Sequence, residues 1–417
     1  MPLSGRALLA FLAPGLIVTA ACDTAPAPIH TIHTDSAGIL ITTAVAPQWA
    51  PGEGWTVAPE PLVEIGTVTG APEYQFSEVV AAVRLGNGDI VVADRGASEL
   101  RSYDSAGNFQ WRTGRFGEGP GEFESLDFLG TVAGDSLVTY DERLLRAQLF
   151  DSDGVLGRTI RVILPRDDAA PGGSAPDKAV GIAANNLIVR FIELAEGTDQ
   201  GIVRWLNERV VAFDLADGSA SVLTVVPGEE VERLSDMSTT LLTFGNMPEY
   251  GAAADRVAVI DTKAFSVHVL SPAPGIGERI VRRDLAPQES TDAVFEAHLA
   301  GILGMVSGVP AEEVSRIRQM WRDRRRVPVL PALRSIHVDA AGNLWLTPYY
   351  VADADPPPFE VHAPDGTWLG SVSVPSGLQR AFIQYQAPYM EIGEDYILGV
   401  WTDDLDVQYV RHYRINK

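Results

Sequence analysis

A couplet of short apolar runs recurs six times along this chain, and few folds can use one small β-unit so often without leaving strand edges exposed. The pattern is a β-branched run, a polar stop and a second apolar run, closed in four of the copies by Asp and Gly. The clearest copy is Asp89-Ile90-Val91-Val92-Ala93-Asp94, followed by Leu100-Arg101-Ser102-Tyr103-Asp104 and Gly107. The next is Ser136-Leu137-Val138-Thr139-Tyr140-Asp141, followed by Leu149-Phe150-Asp151 and Gly154. In both, the stop and the closing Asp stand ten positions apart. Further copies begin at Asn186, Val257, Asn343 and Tyr396. Alternating apolar residues bounded by Asp-Gly, Asn-Gly and Pro mark short antiparallel strands joined by tight turns.

A second repeat lies between the couplets. Gly70-Ala71-Pro72-Glu73-Tyr74, Gly119-Pro120-Gly121-Glu122-Phe123 and Asn246-Met247-Pro248-Glu249-Tyr250 share a bend, a Glu and an aromatic. Such a segment suits a passage from the edge of one unit to the centre of the next, with the aromatic packed between units. Radial repetition of four-stranded units protects their edges. The expectation is therefore an all-β, six-bladed β-propeller over residues 34–417. The last copy runs almost to Lys417, so an early segment must close the ring: either Gly38 to Thr43 or Trp55 to Ile65.

The spacing is uneven. Between Asp261 and Thr347 the excess lies in about 287–327, where the period changes. Val294, Phe295, His298, Leu299, Ile302 and Leu303 recur at helical steps, with Ser290 or Thr291 as a cap. A second helix is expected from Ala311 to about Arg324, with Val314, Ile317 and Trp321 on one face. This small helical insertion must pack on a face or rim, either as a lid over core edges or as a wall of a ligand site. Its end, Trp321-Arg322-Asp323-Arg324-Arg325-Arg326, offers Arg324 and Arg325 as a grip for an anion. The other reading of that run is a solvated helix end paired with neighbouring acids. A smaller insertion, Phe191 to Arg209, reads as a long hairpin with a polar tip.

The N-terminus carries a different signal. Arg6 is the only charge before an apolar run from Ala7 to Ala21, which is short for a membrane span of about 20 apolar residues. That pattern is expected of a secretory signal peptide over residues 1–21. Val18-Thr19-Ala20-Ala21-Cys22 resembles the lipobox of bacterial lipoproteins, with Thr19 where that family usually has an aliphatic residue. The resemblance implies cleavage before Cys22 and a lipid on its sulfur. Plain secretion after ordinary cleavage is the alternative. Residues 22–33 then form the lipidated cysteine and a Pro/Ala-rich spacer. Cys22 is the only cysteine, so a disulfide within the chain is excluded. The formal charge is −23, or −24 without Arg6, and such a surface repels phosphate backbones. Nucleic acid is not an expected partner, and contact with the membrane is expected through the lipid alone.

Residues 34–41, the Ile90–Asp94 strand and the Phe116–Phe123 linker resemble exported bacterial six-bladed propellers related to NHL repeats. The resemblance implies the fold and says little about activity, because such propellers host unrelated roles.

No HExxH, GxSxG or paired-cysteine pattern is present, and the seven histidines are scattered. One geometric expectation concerns a face. Residues following the first strand of each couplet lie on the same side of a propeller, which groups Asp94, Arg95, Asp141, Arg143, Asp261, Lys263, Tyr349 and Asp403 into a polar ring. An Asp after a strand also commonly closes its own turn. Two functions follow. The preferred one is a monomeric binding or scaffolding propeller at the cell envelope, recognising protein, peptide or glycan without a cofactor. The alternative is a metal-dependent hydrolase like the gluconolactonase-type propellers, which needs several oxygen ligands converging on a divalent cation in the central channel.

Overall fold

The computed structural model describes residues 29–417 apart from 133, 166–167, 169, 171, 194–198, 205, 237, 305, 307–308, 352–354, 379–388 and 404. The expected signal peptide and Cys22 lie outside the described residues.

Six antiparallel units follow one another along the chain. Blade one comprises Val79–Arg84, Ile90–Asp94, Glu99–Tyr103 and Phe109–Thr113. Blade two comprises Leu126–Val132, Ser136–Asp141, Arg146–Phe150 and Leu156–Arg161. Blade three uses Ser174–Ala183, Asn186–Glu193, Asn207–Asp214 and Ala220–Pro227. Blade four uses Pro248–Ala253, Arg256–Asp261, Ser266–Leu270 and Arg279–Arg282. Blade five uses Leu333–Val338, Leu344–Pro348, Phe359–His362 and Trp368–Val372. Blade six begins with Glu391–Ile392, Tyr396–Thr402 and Gln408–Asn416, and its outer strand comes from the start of the chain. The architecture is a β-propeller.

The Asp and Gly at the hairpin turns now have a cause. The Asp104 carboxylate accepts the amides of Ala106 and Asn108, while Gly107 turns at φ 85°. Asp151 does the same for Asp153 and Val155, and Asp339 for Ala341 and Asn343. A carboxylate that satisfies amides two and four residues ahead fixes the hairpin without tertiary help.

The core is divided among the boundaries between blades. Tyr103, Val92 and Ile90 of blade one meet Leu398 and Val410 of blade six. Phe128 and Tyr140 of blade two meet Phe191 and Phe213 of blade three. Trp345 and Phe359 of blade five meet Trp401 and Tyr413 of blade six. Each blade therefore buries both faces, as the near-continuous apolar runs require. The inner strands of blades three and four approach closest at Gly181, where a Cβ would stand 2.2 Å from the Ala252 carbonyl oxygen. Only glycine fits there.

Of the two segments offered for ring closure, Trp55 to Ile65 takes the role. Val63–Ile65 pairs antiparallel with Gln408–Asn416 at Val410 and His412, and Thr56–Val57 pairs with its end. Gly38 to Thr43 does something else. Thr31–Ser36 and Ile39–Ala44 form a hairpin whose second strand joins the outer edge of blade four in parallel, Leu40 beside Arg279 and Thr43 beside Arg282. Its register is fixed by Thr42, whose hydroxyl donates to the Asp365 carbonyl at 2.9 Å.

The helical insertion is present as α1, Asp292–Gly304, and α2, Ala311–Asp323. Thr291 caps α1 by accepting the Val294 amide. Among the described residues no helix is long and apolar enough to cross a membrane. The Phe191 to Arg209 insertion is not a free hairpin tip. Gly201–Arg204 leaves blade three and forms a three-stranded sheet with Glu230–Arg233 and Thr239–Leu241. This sheet and the helix pair make a cap over blades three to five, with a small core of Leu242, Phe244, Val327 and Leu330. The Thr243 amide donates to the Arg325 carbonyl, which pins the linker before blade four to the end of the insertion.

Candidate functional site

Most of the charge at the strand ends expected to share a face is already committed. Asp94 is wholly buried and accepts the Ser77 and Glu78 amides, with Arg101 at 3.4 Å. Asp141 is buried and accepts the amides of Glu124, Ser125, Arg143 and Leu144. Asp403 closes its own turn on Leu405 and Val407 and accepts the Tyr409 hydroxyl. Asp404 lies outside the described residues. Arg95 bridges Glu78 and Asp127 at 2.6 Å each, and Arg143 stands 3.9 Å from Glu124. Asp261 pairs with Arg204 at 2.7 Å, and Lys263 reaches Glu230 at 4.0 Å. Backbone amides of their own turns or of the preceding linker remove Asp94, Asp141 and Asp403 as open binding groups. Tyr349 is the exception in that ring, because it faces a cavity.

That cavity, of 150 Å³, lies between the cap and the upper ends of blades four and five. Its apolar walls are Leu242, Phe244, Met247, Trp321 and Leu333. His298 of α1 stands edge-on between Phe244 and Trp321, with ring centroids 5.0 and 5.6 Å away. Tyr349, following the second strand of blade five, meets Phe244 at 6.2 Å. A second cavity of 190 Å³ adjoins the first and shares Glu229, Met247 and Glu249 with it. Together they reach the lower end of the ~300–1,000 Å³ typical of ligand pockets.

The charges around these cavities differ from those elsewhere on the face. Within the arginine run, Arg322 pairs with Glu296, Arg325 with Glu232 and Arg326 with Asp292. Arg324 lines the cavity and, among the described residues, makes no hydrogen bond or ion pair. Its guanidinium lies 4.1 Å from the Trp321 ring centroid, and burial alone pulls its pKa down. The carboxylates of Glu229 and Glu249 likewise have no hydrogen bond or ion pair among the described residues. Burial raises the pKa of both, with Glu208 adding to the rise at each. Lys178, on the inner strand of blade three, is depressed by burial and attracted by Glu249. Arg334, on the inner strand of blade five, stacks on Tyr350, and its Nε is buried without a partner. Arg190, by contrast, is spent on Asp177 and Glu208.

No family model matches the chain, and no curated protein matches it in sequence. Its likenesses are architectural. A member of the DUF4221 family from Bacteroides vulgatus is similar over 87% of this chain and 99% of its own, at 10% identity and a TM-score of 0.47. An inferred exported protein from Bacteroides fragilis is similar over 87% and 96%, at 10% identity and a TM-score of 0.43. A gluconolactonase from Xanthomonas campestris covers 82% of this chain and 87% of its own, at 10% identity and a TM-score of 0.38.

Sequence reasoning placed His298, Trp321 and Arg324 in the helical insertion and Tyr349 in the polar ring, and the fold brings all four to one cavity. It missed Glu229 and Glu249. Glu249 was read within a linker motif, but Pro248–Ala253 is the inner strand of blade four itself. The available signal was the departure of Asn246-Met247 from the Gly-rich bend of the other two copies. Among the described residues, no group of three or more His, Cys, Asp or Glu side chains gathers as a cation site would require.

Proposed function

We propose that this chain is an exported, ligand-binding propeller of the cell envelope, held by a lipid on Cys22, whose site is the paired cavity beneath the helical cap. One observation carries this reading: charges of both signs with no hydrogen bond or ion pair among the described residues border an aromatic cavity, whereas Asp94, Asp141 and Asp403 on the ring are spent on backbone amides. Glu229, Glu249 and Arg324 are half-buried. A partly desolvated charge without a partner is costly, so a fold keeps one where a partner arrives from outside. The alternative of a metal-dependent hydrolase needs oxygen ligands converging on one cation, and among the described residues no three His, Cys, Asp or Glu side chains gather in that way.

The site is tested with N-phenyl-1-naphthylamine, a neutral dye that brightens in apolar cavities. The protein is expected to take it up saturably. Met247→Trp fills the junction of the two cavities from a position that is 39% exposed, so the fold tolerates it. Dye affinity should fall at least about tenfold at an unchanged thermal midpoint. Absence of saturable uptake, or equal affinity in the variant, overturns the reading.

A further inference from the structure

The positions of the uncommitted charges specify what the cavity would accept. Glu229 and Glu249 stand where the two cavities join, and Arg324 stands on the wall formed by α2. Leu242, Phe244 and Met247 supply apolar surface of the same cavity. A fourth feature adjoins it. Thr239–Leu241 is the outermost strand of the three-stranded sheet, is mostly exposed, and places Leu241 on the cavity wall. An open strand edge offers main-chain donors and acceptors to another extended chain.

We infer that the site binds a short peptide with a bulky apolar side chain, whose free ammonium is taken by Glu229 and Glu249 and whose carboxylate is taken by Arg324. This rests on the binding reading above and adds the ligand class. Each part answers a defect in the empty protein. The ammonium supplies hydrogen bonds to two carboxylates that have none, and the carboxylate supplies a planar acceptor to a guanidinium that now has only an aromatic ring. The side chain fills the space beside Phe244, and the peptide backbone lies within reach of the Thr239–Leu241 edge. A purely anionic ligand would face Glu229, Glu230 and Glu249, and a purely cationic one would leave Arg324 unanswered.

The probe is the dipeptide leucyl-phenylalanine, titrated calorimetrically beside its N-acetyl and C-amide forms. The free dipeptide should bind at least about tenfold more tightly than either blocked form, the scale expected for losing one charge-assisted hydrogen-bonded pair. Arg324→Gln should erase the preference for the carboxylate over the amide while keeping the preference for the free ammonium. Glu249→Gln and Glu229→Gln should do the reverse, and two variants guard against one that misfolds. Equal binding of the three forms, or no binding while the naphthylamine dye still binds, overturns the peptide assignment alone. Loss of dye binding in the unmodified protein removes the cavity reading beneath it.

Discussion

The residues most easily read from sequence were those whose chemistry is local. Asp104, Asp151 and Asp339 hold amides two and four positions ahead, so the Asp and Gly spacing already contains their role. Which arginine stays uncommitted was not legible, because the partners of Arg325 and Arg326 come from 93 and 34 positions away. Burial is equally nonlocal. Glu391, on the inner strand of blade six, accepts the Arg84 amide at 2.7 Å, and burial raises its pKa to about 7 from 4.5. The folded chain thus keeps a proton that the unfolded chain has released between those values. Stability from this group therefore falls as pH rises from about 4.5 to 7. His362 acts oppositely: burial holds it neutral down to about 4, so its contribution falls as pH drops below 6.5. Comparing Glu391→Gln with the parent protein cancels the histidine. Across that interval the variant should gain on the order of 1–3 kcal/mol over the parent. Parallel denaturation midpoints across the range would contradict the assignment.

At the scale of elements, the helices were legible because their apolar period differs from that of the strands around them. Their start at Thr291 and end near Asp323 followed from ordinary capping and charge. The cap sheet was not legible, since Gly201–Arg204 and Glu230–Arg233 are separated by a whole hairpin of blade three. Which early segment closes the ring stayed open for a related reason: either one satisfies strand alternation, and only packing chooses Trp55 to Ile65. The N-terminal hairpin's seat can be tested through blade five. Gly366 turns at φ 88°, and a Cβ there would come within 2.8 Å of Thr42 and 2.9 Å of Val281. Gly366→Ala should cost about 1–3 kcal/mol, from strain and contact together. It should also speed hydrogen exchange at the Ile39–Ala44 amides before those of blade one. Unchanged protection at the hairpin would show that the Thr42 contact does not seat it.

For the whole molecule, the fold was readable because the same solution is used six times, and an error in one copy leaves five others. The site was less readable because it lies where the repetition is broken. Closure is also a property of the whole. Gln408–Asn416 holds Val63–Ile65 on one side, and Gln408 accepts the Val79 amide of blade one at 2.8 Å. Truncation after Trp401 removes all of these at once and opens the layer between blades six and one. The expected result is cooperative loss of the whole ring, seen as collapse of the thermal transition. A truncated chain with the parent midpoint would show that the other boundaries suffice.

The hairpin on blade four has a further consequence, for motion rather than stability. The seam of the ring lies at blade six, yet the chain enters the body at the rim of blade four, one of the two blades that wall the cavity. A leash on the proposed lipid-bearing Cys22 would therefore pull on the rim of a blade that contributes Met247 and Glu249 to the cavity. As the disc swings about that pivot, the cavity travels through a short arc, while blade one, three positions around the ring, sweeps a long one. Under the proposed lipid on Cys22, a cavity on the blade where the chain enters would sample a narrower zone above the membrane than blade one would.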